Sequence, residues 1–150
     1  MTTTEILTVL TALGAATFGG ALFAFSAFVM HGLDRTPPRA AVEAMQQINL
    51  SAPRAPLLGV MLGTTGLAVA TAALARSPLV VAGSVAFLAS IAITGLFHIP
   101  RNNALADVDA AGPAAAAVWA AYSGPWQRGN HLRTAAALGG ALLLMVSLVG

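Results

Sequence analysis

The sequence predicts an all-α membrane protein: four transmembrane helices in an up-down bundle, with short amphipathic helices in the two long loops, forming a single domain over residues 1–150. Three observations predict it. The chain is 57% hydrophobic and 8% charged, with a mean hydropathy of +0.81, whereas soluble domains carry roughly 25% charged residues. The apolar residues fall into long runs, and about 20 residues of helix cross a hydrocarbon core of roughly 30 Å. Proline, glycine and charge collect between those runs, where a chain turns.

The first crossing is expected over Ile6 to Met30, which carries no charge. It lacks the basic start and short apolar core of a cleaved leader, so it reads as a retained anchor. Its small residues Ala15, Ala16, Gly19 and Gly20 would let a neighbouring helix approach closely. His31-Gly32-Leu33-Asp34-Arg35-Thr36-Pro37-Pro38 ends it. From Arg39 to Asn49, Val42, Met45 and Ile48 recur three residues apart with polar residues off that stripe, the pattern of an amphipathic helix lying on the bilayer or the bundle. The second crossing, Leu57 to Ala75, contains Gly59-x-x-x-Gly63, another close-packing signature. The minimal connection Arg76-Ser77-Pro78 makes the second and third crossings an antiparallel hairpin. The third runs from Leu79 to about His98 and should stop at Pro100. Gly112-Pro113 opens an alanine-rich helix through Tyr122. Ser123-Gly124-Pro125 is expected to break it, placing Pro125 at the start of the last segment, which runs through Val149.

Charge and cysteine content exclude whole classes of function. Seven arginines, no lysine and five acidic residues leave a net charge of +2, too slight in so apolar a chain for nucleic acid. With no cysteine there is no disulfide, thiolate ligand or cysteine nucleophile. Residues 57–75 and 79–97 contain no charge, which argues against an ion-coupled transport path. Arg35, Arg39, Arg54, Arg101, Arg128 and Arg133 all fall on the side of the long loops, so that side is expected in the cytoplasm of the cell membrane and the termini outside.

The same topology gathers the chemistry-bearing residues at one end. His31 ends the first crossing, His98 the third, and His131 begins the fourth. Three imidazoles could hold a single transition metal, Cu or Fe, with a position left for dioxygen. Trp126, Asn130 and Arg133, spaced i, i+4 and i+7, share a helix face, while His131 lies about 100° from Asn130. Asn102 and Asn103 follow the third crossing, and Asn49 and Arg54 flank the same end.

Taken in order, F-A-F-S-A-F-V-M-H-G-L (Phe23 to Leu33), A-M-Q-Q-I-N (Ala44 to Asn49), P-R-N-N-A-L-A (Pro100 to Ala106), W-A-A-Y (Trp119 to Tyr122) and W-Q-R-G-N-H-L-R-T (Trp126 to Thr134) span nearly the whole chain. In these stretches it resembles the small integral-membrane family that includes the anthrone oxygenases of aromatic polyketide pathways. By the family pattern Asn102, Trp126, Asn130, His131 and Arg133 carry over. His98 and His31 depart from it, standing where the family often has Asn and Pro.

The resemblance implies oxidation of a flat phenolic or polyketide-like substrate by dioxygen. That chemistry needs a base, donors to a developing oxyanion and an apolar slot. His131 or His98 would be the base, Asn102, Asn130 and Arg133 the donors, and Trp126, Tyr122 and Trp119, with Asn49 and Arg54, the substrate-binding surface. No cofactor is needed in this scheme. Two other readings compete with it: a Cu, Fe or haem oxidase ligated by His31, His98 and His131, and a non-enzymatic membrane subunit or small-molecule binding protein. The expected partners are the lipid bilayer, an apolar aromatic molecule and, through the small-residue faces, a second copy of the chain.

Overall fold

A capping box starts the first helix. In the computed structural model, which describes residues 1–54 and 56–149, Thr2 Oγ1 accepts from the Glu5 N–H at 3.2 Å and Glu5 Oε2 accepts from the Thr2 N–H at 2.9 Å. Two otherwise orphaned donors are thereby satisfied. This helix, α1, runs Thr3–Leu33, past His31 and Gly32, where the sequence suggested a stop. α2 is Pro38–Ser51, with proline in its first turn. α3 is Leu57–Leu74, α4 Pro78–Ala106 and α5 Ala115–Val146. Among the described residues there is no strand.

α1, α3 and α4 are long and apolar enough to cross a membrane. Their outward residues are large and greasy, with Leu13 64%, Phe28 65% and Leu96 82% exposed. Such a surface suits lipid rather than water. α5 packs along α1 and α4, and α3 along α1 and α4, while α2 lies across α5 and the end of α4. The α3–α4 hairpin turns at Ala75–Ser77, as expected. Val42 and Met45 of α2 are fully buried against Met30, Leu105, Trp119, Tyr122 and Trp126, so the stripe read from the sequence faces the bundle.

Two predicted breaks are absent, for physical reasons. α4 does not end at Pro100, because residues Thr94–His98 form a π turn, with the Ile99 N–H bonded to the Thr94 carbonyl five residues back. The wider turn relieves the clash that a proline ring makes with the carbonyl four residues before it. α5 continues unbroken past Pro125. The carbonyl that loses its partner is that of Ala121, which is exposed, and Tyr122 and Trp126 on either side are both tied to Asn102. The helix expected in the second long loop is therefore the first third of α5, leaving α2 as the separate surface helix. A second π turn, Phe25–Val29, lies in α1, with the Met30 N–H bonded to the Phe25 carbonyl.

Close packing falls elsewhere than the G-x-x-x-G spacing suggested. A methyl group added to Gly59 or Gly63 would meet nothing within 4 Å, and both residues face outward. The tight crossing is between α4 and α5, where a Cβ on Gly140 would lie 2.7 Å from the Gly83 carbonyl oxygen and 3.0 Å from the Phe87 nitrogen. Only residues without a side chain allow that backbone contact. Gly19 meets Leu138 and Ala137 of α5, as its small-residue face predicted, whereas Gly20 is open.

Candidate functional site: a cavity with a buried arginine

Beneath α2, at the end of the bundle where α1 and α4 carry their π turns, lies a cavity of about 330 Å³. Small-molecule pockets begin at roughly 300 Å³, so it is sized for one small ligand. Phe18, Leu22, Phe25, Met45, Ile48, Leu57 and Met61 make its walls apolar. Its polar lining comes mainly from Gln46, Asn49, Thr94, His98, Asn102, Asn103 and Arg133, with the ring of Trp126 beside them.

Arg133 is 7% exposed. Its Nε donates to Asn130 Oδ1 at 3.0 Å and one terminal nitrogen to Thr94 Oγ1 at 3.3 Å, and its guanidinium carbon stands 5.2 Å from the Trp126 ring centroid. An arginine has five N–H donors, so after these two bonds three remain unspent. No carboxylate answers the charge: the one ion pair among the described residues is Arg39–Glu43 on the surface. A buried charge without a counter-charge is costly, and a strongly desolvated ionisable group at the wall of a cavity is a functional-site candidate.

Several bonds hold this guanidinium in place. Asn130 is fully buried and spends its amide on the Leu22 carbonyl at 2.9 Å and Ser26 Oγ at 2.8 Å. The π turn beginning at Phe25 shifts the backbone register of α1, which leaves the Leu22 carbonyl within reach of a side chain on another helix. Thr94, in the other π turn, donates its hydroxyl to the Ser90 carbonyl at 2.9 Å and so turns a lone pair to Arg133. Asn130, expected as an oxyanion donor, has no donor left and positions Arg133 instead.

Asn102 differs in that its amide donors are unspent. Its Oδ1 accepts from Tyr122 Oη and Trp126 Nε1, both at 2.9 Å, which leaves its amide N–H groups free at the cavity wall. Asn49 Nδ2 is buried and has no partner among the described residues. Three unspent sources of N–H thus line one apolar space.

The histidines do not converge. His98 is fully buried and lines the cavity, but Nε2 lies 3.3 Å from the Trp126 carbonyl and Nδ1 3.4 Å from that of Ile93. Both ring nitrogens are therefore turned to backbone rather than to a ligand. His131 is exposed and contacts Ser26 Oγ through Nδ1 at 2.9 Å, outside the cavity. His31 is exposed and does not line it either. Among the described residues no three His, Asp or Glu side chains form a metal-binding group, so the predicted His31–His98–His131 ligand set is not assembled. The topology brought them to one end, but helix rotation points them in different directions.

Other expected residues sort similarly. Trp126 lines the cavity, while Tyr122 stands behind it on Asn102. Trp119 donates to Asp34 Oδ1 at 2.9 Å and, with the Gln127 bond to Asp34 Oδ2 at 2.8 Å, ties α5 to the end of α1. Arg54 is exposed and not part of the lining, although its neighbour Pro53 is. Ser26 and Thr94, which orient the polar group, were not singled out from the sequence; Ser26 does lie inside the quoted F-A-F-S-A-F stretch.

Fold and cavity together define a helical, membrane-type protein with a buried cationic pocket. The anthrone oxygenase family model matches residues 44–143, and the chain belongs to that family. The matched stretch holds Asn49, Asn102, Trp126, Asn130 and Arg133, and leaves out α1 with Ser26 and His31. No curated protein and no solved structure matches the chain.

Proposed function

We propose that the protein oxidises a flat phenolic, anthrone-like molecule with dioxygen, holding it in the cavity as an oxyanion against Arg133 and Asn102. Family membership supports the reaction class. The observation that carries the assignment of the site is Arg133, a buried guanidinium with unspent donors and no carboxylate at the wall of an apolar cavity.

Loss of a proton from the activated ring carbon gives an anion delocalised onto the oxygen of the conjugated ring ketone, which becomes an aromatic oxyanion that a fixed cation and an amide stabilise. With both nitrogens of His98 facing carbonyls and His131 outside, the proton goes to water at the cavity mouth. The carbanion gives its electrons to dioxygen, a C–O bond forms, and a returning proton makes the hydroperoxide. The second ring hydrogen then leaves as a proton while the O–O bond breaks, giving the ketone. One CH2 and one O2 become one C=O and one H2O, so no outside reductant is required. The residues in this scheme ask for no metal; His131 acts only through Ser26 and Asn130.

In the same reading α5 is a fourth crossing. Its polar residues Asn130, Arg133 and Thr134 are turned inward, and from residue 135 to residue 146 it carries only apolar residues to meet lipid. The arginine-rich end would face the cytoplasm.

Oxygen uptake by purified protein with an anthrone tests the reaction. The expected stoichiometry is one O2 per anthrone, and Arg133→Gln should slow turnover by about 100-fold or more, the usual effect of removing an oxyanion donor. A bound phenolic analogue gives a second readout. Beside Arg133 its pKa should be depressed, so tight binding is fully present above the free phenol's pKa and is lost as pH falls through the bound value. Undiminished turnover and an unshifted analogue pKa in Arg133→Gln would sink the proposal.

A further inference from the structure

On the outer side of the α4–α5 contact lies an open groove, lined by Ile93, Leu96, Leu132, Arg101 and Arg128. It is separate from the cavity and does not depend on the function proposed for it. Its floor is possible because residue 129 is glycine: a Cβ there would lie 2.5 Å from Phe97 Cε1 and 3.0 Å from His98 Cε1. The apolar flanks are bare, with Leu96 82% and Leu132 61% exposed.

Polarity is segregated along the groove. Eight residues of helix separate Ile93 from Arg101, about 12 Å at 1.5 Å per residue. α5 runs antiparallel, so Arg128 lies on the same side of Leu132 as Arg101 does of Leu96. The apolar stretch thus belongs to the spanning part of α4, and both cations sit at its loop-side rim. Arg101 is held rather than loose: it donates to the Phe97 carbonyl at 3.1 Å and its guanidinium carbon lies 3.5 Å from the Phe97 ring centroid. Neither arginine has an acidic partner, since the ion pair found among the described residues involves Arg39 and Glu43.

We propose that this groove binds one anionic phospholipid, its phosphate between Arg101 and Arg128 and an acyl chain along Ile93, Leu96 and Leu132. A preset guanidinium beside a second, exposed one suits a phosphate diester, and an exposed apolar channel beneath them suits the chain attached to it. A zwitterionic lipid offers the same chain, but its ammonium faces two cations.

Native mass spectrometry of detergent-purified protein, given equal phosphatidylglycerol and phosphatidylcholine of identical chains, tests this. The expected result is one retained lipid, phosphatidylglycerol, preferred at least tenfold, with a matching rise in the thermal midpoint. Arg128→Gln, an exposed position, should lower the preference about fivefold, as expected for one interfacial arginine, with helicity unchanged. Arg101→Gln should do the same, and Leu96→Gln should weaken retention of both lipids. Equal retention of the two lipids, or a preference that survives in the double variant Arg101→Gln/Arg128→Gln, overturns the proposal. So does equal stabilisation by glycerol phosphate, which would make the site one for a free anion.

Discussion

The two ends of the helix bundle use polar side chains in opposite ways. At the end holding the termini the buried polar groups are hydroxyls, and the threonines among them bond at home: Thr8 to the Thr4 carbonyl at 2.8 Å, Thr11 to that of Leu7 at 2.7 Å and to Thr71 at 2.9 Å, with Ser84 Oγ the one left without a partner among the described residues. Ala12, Val80 and Leu144 fill the space between, and Gly83 and Gly140 bring two backbones into contact. At the loop end the side chains are long, the backbone is loosened by two π turns, and donors outnumber acceptors. Short, self-satisfied groups seal a bundle. A site needs donors left over, together with a shell that stops them collapsing onto each other.

The largest effect on that comparison should come from Asn102→Ala. It strands the Tyr122 hydroxyl and the Trp126 indole N–H, and a buried donor left unpaired costs about 1–3 kcal/mol. The thermal midpoint in detergent should drop clearly and turnover with it. Asn102→Asp separates the two roles, because it keeps the acceptor for both rings while placing a carboxylate in the cavity that holds Arg133. It should regain most of the midpoint and none of the turnover; if it regains both, Asn102 is structural only.

Next comes the seal itself. Gly140→Ala pushes a methyl group against the Gly83 carbonyl and the Phe87 nitrogen, neither of which can rotate away, so α4 and α5 must part. Overpacking of this kind costs about 1–3 kcal/mol. Gly59→Ala, with nothing near it, should leave the midpoint unchanged or slightly raised, since alanine is the better helix former. Equal losses at the two positions would mean that Gly59 has a packing partner of its own.

Much of this division was legible in the sequence, and what was not has identifiable causes. Long apolar runs and the i, i+4, i+7 spacing of Trp126, Asn130 and Arg133 survive folding because they depend only on helix period, and the three side chains are indeed buried on one face. The same period put His131 off that face, which the structure bears out in its exposure. Convergence of His31, His98 and His131 was an inference from topology alone, and topology fixes the end of a bundle without fixing rotation about each helix. The breaks expected at Pro100 and Pro125 follow from local rules. A π turn in one case and the ties to Asn102 in the other override them, and both involve residues distant in sequence or in register. The spacing of Gly59 and Gly63 predicts close packing within one helix's own pattern, whereas the contact pairs Gly83 with Gly140 on two helices.

The smallest predicted effect concerns the sealed end. Thr11→Val removes one hydroxyl of the buried Thr11–Thr71 pair while preserving shape. Thr71 sits on a helix and can turn its hydroxyl to its own backbone, as Thr8, Thr17 and Thr65 do with the carbonyl four residues earlier. Interhelical hydrogen bonds in membrane proteins average about 0.6 kcal/mol for that reason. The midpoint should therefore fall only slightly, and turnover should not change, since no residue of the cavity lining is touched. A loss as large as that of Asn102→Ala would show that the hydroxyl pair fixes the α1–α3 register from which Leu22 and Phe25 are presented to the cavity, and the two ends of the bundle would then be coupled rather than independent.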